Sequence, residues 1–268
     1  VSRYCDFFAY HPGMSQCIKD AGYDGVFRYL HLENGLSLEE IREHHAAGLK
    51  IALIFQTTGG DLRFHPPGAL YFSYESGRRD ALWFLRKVRE LDIPMYEGIA
   101  VFAAVDYNAS SDDVRAGGPV TRYFDGWHDV LTNERNSDPM FILGAYGGQR
   151  VAEAMWPAVP LRWQTRAWSA FQSPRAVAYQ WDFGNVCGIA ITIDEVGSDE
   201  WAWGDEDLNK EETRSVVLEV LQDQGYPDTI EAMKNTYNPL VVEAIENRKI
   251  DAAQAAELER LVEHLRSV

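Results

Sequence analysis

The chain has 268 residues, of which 46% are hydrophobic and 25% charged, proportions that exclude a mainly disordered protein. Its 25 basic residues face 41 acidic ones, giving a net charge of -16, which disfavours nucleic acid and anionic lipid and suits neutral or cationic partners, including uncharged glycans. No apolar run approaches the roughly 18 residues that cross a bilayer. The opening VSRYCDFFAY lacks the basic-then-apolar pattern of a secretory leader, so any leader is absent or removed before residue 1.

In chain order, apolar strand-like runs alternate with amphipathic stretches. RYCDFFAY (3–10) precedes a helix expected over 14–21, and GVFRYLH (25–31) precedes SLEEIREHHAAG, where Ser37 and Glu40 have capping-box spacing and Gly48 reads as a stop. KIALIFQ (50–56) is followed by a Gly- and Pro-rich loop (57–70) and a helix near 77–92. GIAVFAAVDY (98–107), a helix near 119–134, MFILGAY (140–146) and a short helix near 148–155 come next. The final strand candidates are LRWQTRAW (161–168), AVAYQWDF (176–183) and GIAITIDEV (188–196).

Continuously apolar strands separated by helices imply parallel crossovers covered on both faces. Eight such candidates predict an α/β fold, a (β/α)8 TIM-like barrel over 1–204 that becomes irregular in its second half, where helices are short or missing. A doubly wound open sheet is the alternative, and no GxGxxG follows the first strand to support it. After Gly204 the pattern turns helical, as in 205–225 and 252–268, which predicts a C-terminal helical extension (205–268) that packs on the barrel or makes a homo-oligomer contact.

Cys5, Cys17 and Cys187 form no CxxC pair and are expected as buried or idle thiols, with neither a disulfide framework nor a zinc ribbon. His44–His45 is assigned to a polar helix face, and there is no HExxH, so neither a metal nor a cofactor is expected. Walker and GxSxG motifs are also absent.

The informative positions are strand ends. Asp6, Asp106 and Asp194 each fall at or near the C-terminal end of an apolar strand candidate, the face where a β/α barrel gathers its catalytic residues. An ionised carboxylate there is costly unless it is solvated, paired or used. Converging carboxylates suit glycosidic chemistry, in which one donates a proton while another stays ionised beside the anomeric centre. Arg28, Gln56, Tyr146, Trp168, Gln180 and Trp181 end other strands, as does Tyr29 beside Arg28, and are candidate substrate contacts. Trp offers a platform for a sugar face, whereas Arg28 could instead neutralise a nearby acid. Asp61, Glu75 and Asp182 are further acids near this rim, with helix capping as their ordinary role; Asp61 is included among the substrate contacts.

YCDF, FRYL, IFQ, VFAAVDYN, GAYGG and YQWDFGNVCGIAITID together resemble the glycoside-hydrolase-like barrels of actinobacterial and phage proteins, relatives of the family 25 lysozymes, over about Tyr4 to Trp203. The resemblance implies a lysozyme-like cleft for peptidoglycan or arabinogalactan, with Asp6, Asp106 and Asp194 at its acidic positions, and an extracellular, wall- or virion-associated setting. Family 25 enzymes carry Asp-x-Glu on the fourth strand, whereas this chain has Asp106-Tyr107-Asn108, with an amide at the expected proton donor. Either another acid serves (Asp106 itself, Glu33, Asp61 or Glu75), or the barrel is a non-catalytic glycan-binding or structural module.

Overall fold

A computed structural model describes residues 1–30, 34–57, 68–93, 98–133, 141–155 and 157–204. Glu33, Asp61 and the expected extension 205–268 lie outside the described residues. The strands are β1 (Ser2–Asp6), β2 (Gly25–Tyr29), β3 (Lys50–Phe55), β4 (Ala100–Ala104), β5 (Ile142–Gly147), β6 (Leu161–Thr165), β7 (Ala178–Val186) and β8 (Ile189–Val196). They close into one barrel in sequential order, which excludes the open doubly wound sheet. The helices are α1 (Met14–Asp20), α2 (Leu38–Ala46), α3 (Tyr74–Glu90), α4 (Ser111–Val114), α5 (Pro119–Asn133) and α6 (Gln149–Ala154).

Strands β1 through β7 run parallel, each beside the next. Regular alternation stops after β6, where a 3-10 turn at Arg166–Trp168 is the described element before β7. Strand β8 then runs antiparallel to both β7 and β1. The cause is local. Val186 pairs with Ile189 across Cys187 and Gly188, whose φ values of 58° and 79° are those of a two-residue hairpin turn. Glycine tolerates that conformation freely.

Past Lys50 at its start, β3 (KIALIF) is apolar and buried, as is all of β4 (AVFAA), because helices cover one face and the barrel interior the other. The interior is filled by Tyr4, Phe27, Phe102, Tyr146, Trp163 and Trp201 with smaller residues between them. Phe27 stacks on Trp163 at 4.0 Å, and Phe102 meets Trp201 edge-on at 5.1 Å. The segment after β8 seals the end where the parallel strands begin. The Ala100 amide donates to the Trp201 carbonyl at 2.9 Å, and the Ile51 amide donates to that of Trp203 at 2.7 Å. Outside the barrel, α3 and α5 approach so closely that a Cβ on Gly77 would collide with the Tyr123 backbone and one on Gly126 with that of Tyr74.

Two expectations are corrected here. Cys17 in α1 and Cys187 in the β7–β8 turn form a disulfide, leaving Cys5 buried and free among the described cysteines. Sequence positions 170 apart gave no local spacing from which to pair them. His44 and His45 are not on a polar face either; they are 0% and 4% exposed. The Nδ1 of His44 meets Ser15 Oγ at 2.9 Å and its Nε2 meets Glu40 Oε1 at 3.1 Å, while the His45 ring lies edge-on to Trp203. Buried polar partners supplied inside the fold turned this helix face inward.

Candidate active site at the barrel mouth

Side chains alternate along each strand, so the residues that share the interior with Tyr4 on β1 and Phe27 on β2 are Asp6 and Tyr29. The same alternation places Gln56, just past β3, and Asp106, just past β4, on the interior side at the C-terminal ends of the parallel strands. Asp6 is 6% exposed and is held from several sides. Gln180 Nε2 donates to its Oδ2 at 2.7 Å, Thr192 Oγ1 donates to the same oxygen, and Tyr29 OH donates to Oδ1 at 3.3 Å. The Gln180 amide is itself oriented, because its Oε1 accepts from Tyr146 OH at 3.0 Å. Gln56 Nε2 donates to Asp106 Oδ2 at 2.8 Å.

Asp194 joins this group by a different route from the one expected. Because β8 is antiparallel, its C-terminal end lies at the sealed end of the barrel, and Asp194 pairs with Tyr4 rather than with Asp6. It therefore sits one layer below the mouth, fully buried, with Oδ1 accepting from Trp163 Nε1 at 2.8 Å. Its Oδ2 has no hydrogen-bond partner among the described residues.

Burial pushes all three carboxyls above the usual carboxylate range. The charge of Asp6 adds to that upward push on both Asp194 and Asp106, while the hydrogen bonds from Thr192, Gln180 and Tyr29 pull Asp6 partly back. Asp6 thus bears on the ionisation of both others, Asp106 beside the mouth and Asp194 below it. Asp106 is the most accessible of them and retains its proton to higher pH than a surface aspartate, while one of its oxygens is fixed by Gln56. Such a group can donate a proton to a leaving oxygen, and the ionised form of a neighbour can stabilise positive charge.

The other expected residues divide. Gln56, Tyr146 and Gln180 join the aspartates. Trp168, in the short turn after β6, and Trp181, 37% exposed on β7, stand at the rim. Arg28 does not reach the mouth, because its neighbour Phe27 takes the interior and turns it toward α2. There it is wholly buried, ion-pairs with Glu40 and donates to the Phe7 carbonyl at 2.5 Å. Of the further acids, Glu75 occupies the first turn of α3 and lines a surface hollow with Arg78, Arg79 and Arg86 that includes none of the three aspartates. Asp182 caps the Phe183 amide at 2.9 Å. Asn108 is exposed and accepts from Arg150 Nη1 at 3.4 Å.

Tyr29, a strand-ending residue in the sequence, holds Asp6, whereas Thr192 and Trp163 also hold aspartates and were not chosen from sequence. A period-two reading of ITID would have found Thr192 on the same face as Asp194.

Comparison with known proteins places these features in context. The sequence model of the Rv2525c-like, glycoside hydrolase-like domain matches residues 16–202. No curated protein matches the chain by sequence. Among solved structures, the Tat-secreted protein Rv2525c of Mycobacterium tuberculosis, in complex with HEPES, is similar at TM-score 0.60 and 19% identity, over 73% of this chain and 95% of that one. An uncharacterized B. stearothermophilus protein is similar at TM-score 0.54 and 16% identity, over 76% of this chain and 100% of that one. The modular autolysin LytC of Streptococcus pneumoniae is similar at TM-score 0.49 and 11% identity, over 72% of this chain and 46% of that one.

Proposed function

The chain belongs to the Rv2525c-like, glycoside hydrolase-like domain family, and from that premise we propose that it acts on a neutral cell-envelope polysaccharide through Asp6, Asp106 and Asp194. The observation that carries the reading is the Asp6–Gln180–Tyr146 chain of hydrogen bonds beside Asp106, at the C-terminal end of the parallel strands, opposite the end closed by the segment after β8. In this reading Asp106 donates the proton or acts as general base, and Asp6 and Asp194 stabilise positive charge developing at the sugar. Gln56, Tyr146 and Gln180 supply hydrogen bonds to hydroxyls, and Trp168 and Trp181 supply apolar faces at the rim. The Cys17–Cys187 disulfide favours an oxidising compartment outside the cytoplasm, in keeping with the Tat secretion of the M. tuberculosis protein.

One observation favours a second reading. Asn108, at the position where lysozymes of family 25 carry their acid, cannot supply a proton, which suits a barrel that binds glycan without cutting it. The two readings separate in one experiment, incubation of purified peptidoglycan and arabinogalactan with wild-type protein and with Asp106→Asn. Hydrolysis predicts reducing ends released by the wild type, with a loss of about a hundredfold or more in the variant. Binding without release, equal in both proteins, would establish the non-catalytic module instead.

A further inference from the structure

The β7–β8 ribbon runs on past the barrel. Strand β6 last pairs with β7 at Gln180, and β1 last pairs with β8 at Thr192, so the ribbon from Trp181 to Ile191 has no barrel strand on either edge. Its register shifts between Gln180, which pairs with Asp194, and Asp182, which pairs with Ile193. Trp181 is the extra residue of a β-bulge.

That one residue reverses the facing of the rest of the strand. With strict alternation from Gln180, which points inward, Phe183 would point away from the interior. After the bulge, Phe183 instead pairs directly with Thr192, and residues directly opposite in an antiparallel pair share a face. Thr192 donates to Asp6 and is Asp6's cross-strand partner. Phe183, Thr192 and Asp6 therefore form one row across three strands on the mouth side. Yet Phe183 is 79% exposed, the most exposed of the described aromatic side chains.

A bare phenyl ring held in that position has no packing role within the described fold. A two-stranded ribbon alone is marginally stable in water. This one is fastened at its tip, where Cys187 is bonded to Cys17 of α1. The ring is thus presented on an anchored support, which lowers the ordering cost of using it as a contact surface.

We propose that Phe183 is a stacking platform for a pyranose ring of the glycan whose neighbouring unit lies at Asp6. Such a platform presupposes the glycan reading and adds to it a specific contact. A neutral sugar presents polarised C–H groups to the negative face of a phenyl ring and hydroxyls to the amides and acids beside it. The bulge at Trp181 supplies the orientation, and the disulfide limits its drift.

Co-sedimentation with insoluble peptidoglycan and with immobilised arabinogalactan tests this, using the full chain and the variants Phe183→Ala, Phe183→Trp and Phe183→Leu. Apparent affinity is expected to fall roughly fivefold or more in Phe183→Ala, in line with the worth of an aromatic contact. Phe183→Trp should restore it, and Phe183→Leu should not, since leucine keeps apolar area but loses the π face. The melting temperature and the pH profile of binding should match wild type in all three, because the ring is exposed and touches none of the acids. Equal binding by wild type and Phe183→Ala, or full rescue by leucine, would overturn the platform while leaving the glycan reading intact. Failure of the wild type to bind either glycan would overturn both.

Discussion

Asp194 concentrates the electrostatic cost of the site. It is fully buried, one oxygen is hydrogen-bonded to the Trp163 indole, the other has no partner among the described residues, and Asp6 lies close enough to oppose its ionisation. A carboxyl whose folded pKa is raised contributes stability below its unfolded pKa, and that stability is lost as pH climbs through the folded value. Asp6 and Asp106 are shifted in the same direction, so the mouth weakens the fold toward neutral pH. Replacing Asp194 by asparagine removes the buried charge at constant shape. Asp194→Asn is therefore expected to melt above wild type at neutral pH, by about 2–4 °C for each kcal/mol recovered in a domain of this size. The advantage should shrink as pH falls through the ordinary carboxylate range, where wild-type Asp194 is protonated too. Thermal melts across that range measure it, and a variant less stable than wild type at neutral pH would mean that an ionised Asp194 is favourable where it stands. Arg28 makes the complementary point. Its charge is just as deeply buried but is matched by Glu40 and two backbone carbonyls, so it braces α2 against β2.

At the level of elements, the β7–β8 hairpin is where the barrel departs from regular alternation, and its tip depends on a covalent tie. Closing a loop across 170 positions restricts the unfolded chain, and such a bond typically contributes about 2–4 kcal/mol. Cys17→Ser with Cys187→Ser is expected to lose about that much in chemical denaturation, and wild type under a dithiol reductant should fall to the same value. An unchanged midpoint would mean that the hairpin is held by its strand pairing alone. The same hairpin marks the limit of what sequence conveyed. Strands β1 to β6 and the longer helices between them were legible because each buries an apolar pattern of the right period, whereas α4, which buries nothing, was not foreseen; Ser37 does accept the Glu40 amide as its spacing suggested. The aspartates were legible because a carboxyl ending an apolar strand is conspicuous. The direction of β8 was missed because its pattern is the same whichever way it runs, although the two residues between Val186 and Ile189 favoured a hairpin. Neither the bulge at Trp181 nor the pairing of Cys17 with Cys187 has a local signature, since each is decided by partners far along the chain.

Across the whole molecule, the chain carries a net charge of -16, and the barrel gathers three carboxyls at and just below its mouth. A polyanion approaching this surface is repelled from a distance set by the Debye length, about 10 Å at 0.1 M salt and about 3 Å at 1 M. A neutral glycan meets no such barrier. In the proposed reading it would release no counterions on binding, because its contacts would be hydrogen bonds from amides and tyrosines and the face of an aromatic ring. Retention on neutral arabinogalactan is therefore expected to change less than about twofold between roughly 0.05 M and 0.5 M NaCl, since screening acts on charge pairs and not on these contacts. A phosphate-rich wall polymer should be retained poorly at low salt and better as salt rises, the reverse of the dependence seen when lysines and arginines neutralise phosphates. Affinity chromatography on the two polymers over that salt range measures both trends. A steep loss of arabinogalactan binding with salt would mean that charge pairs hold the ligand, and would remove the reason for assigning a neutral sugar to this mouth.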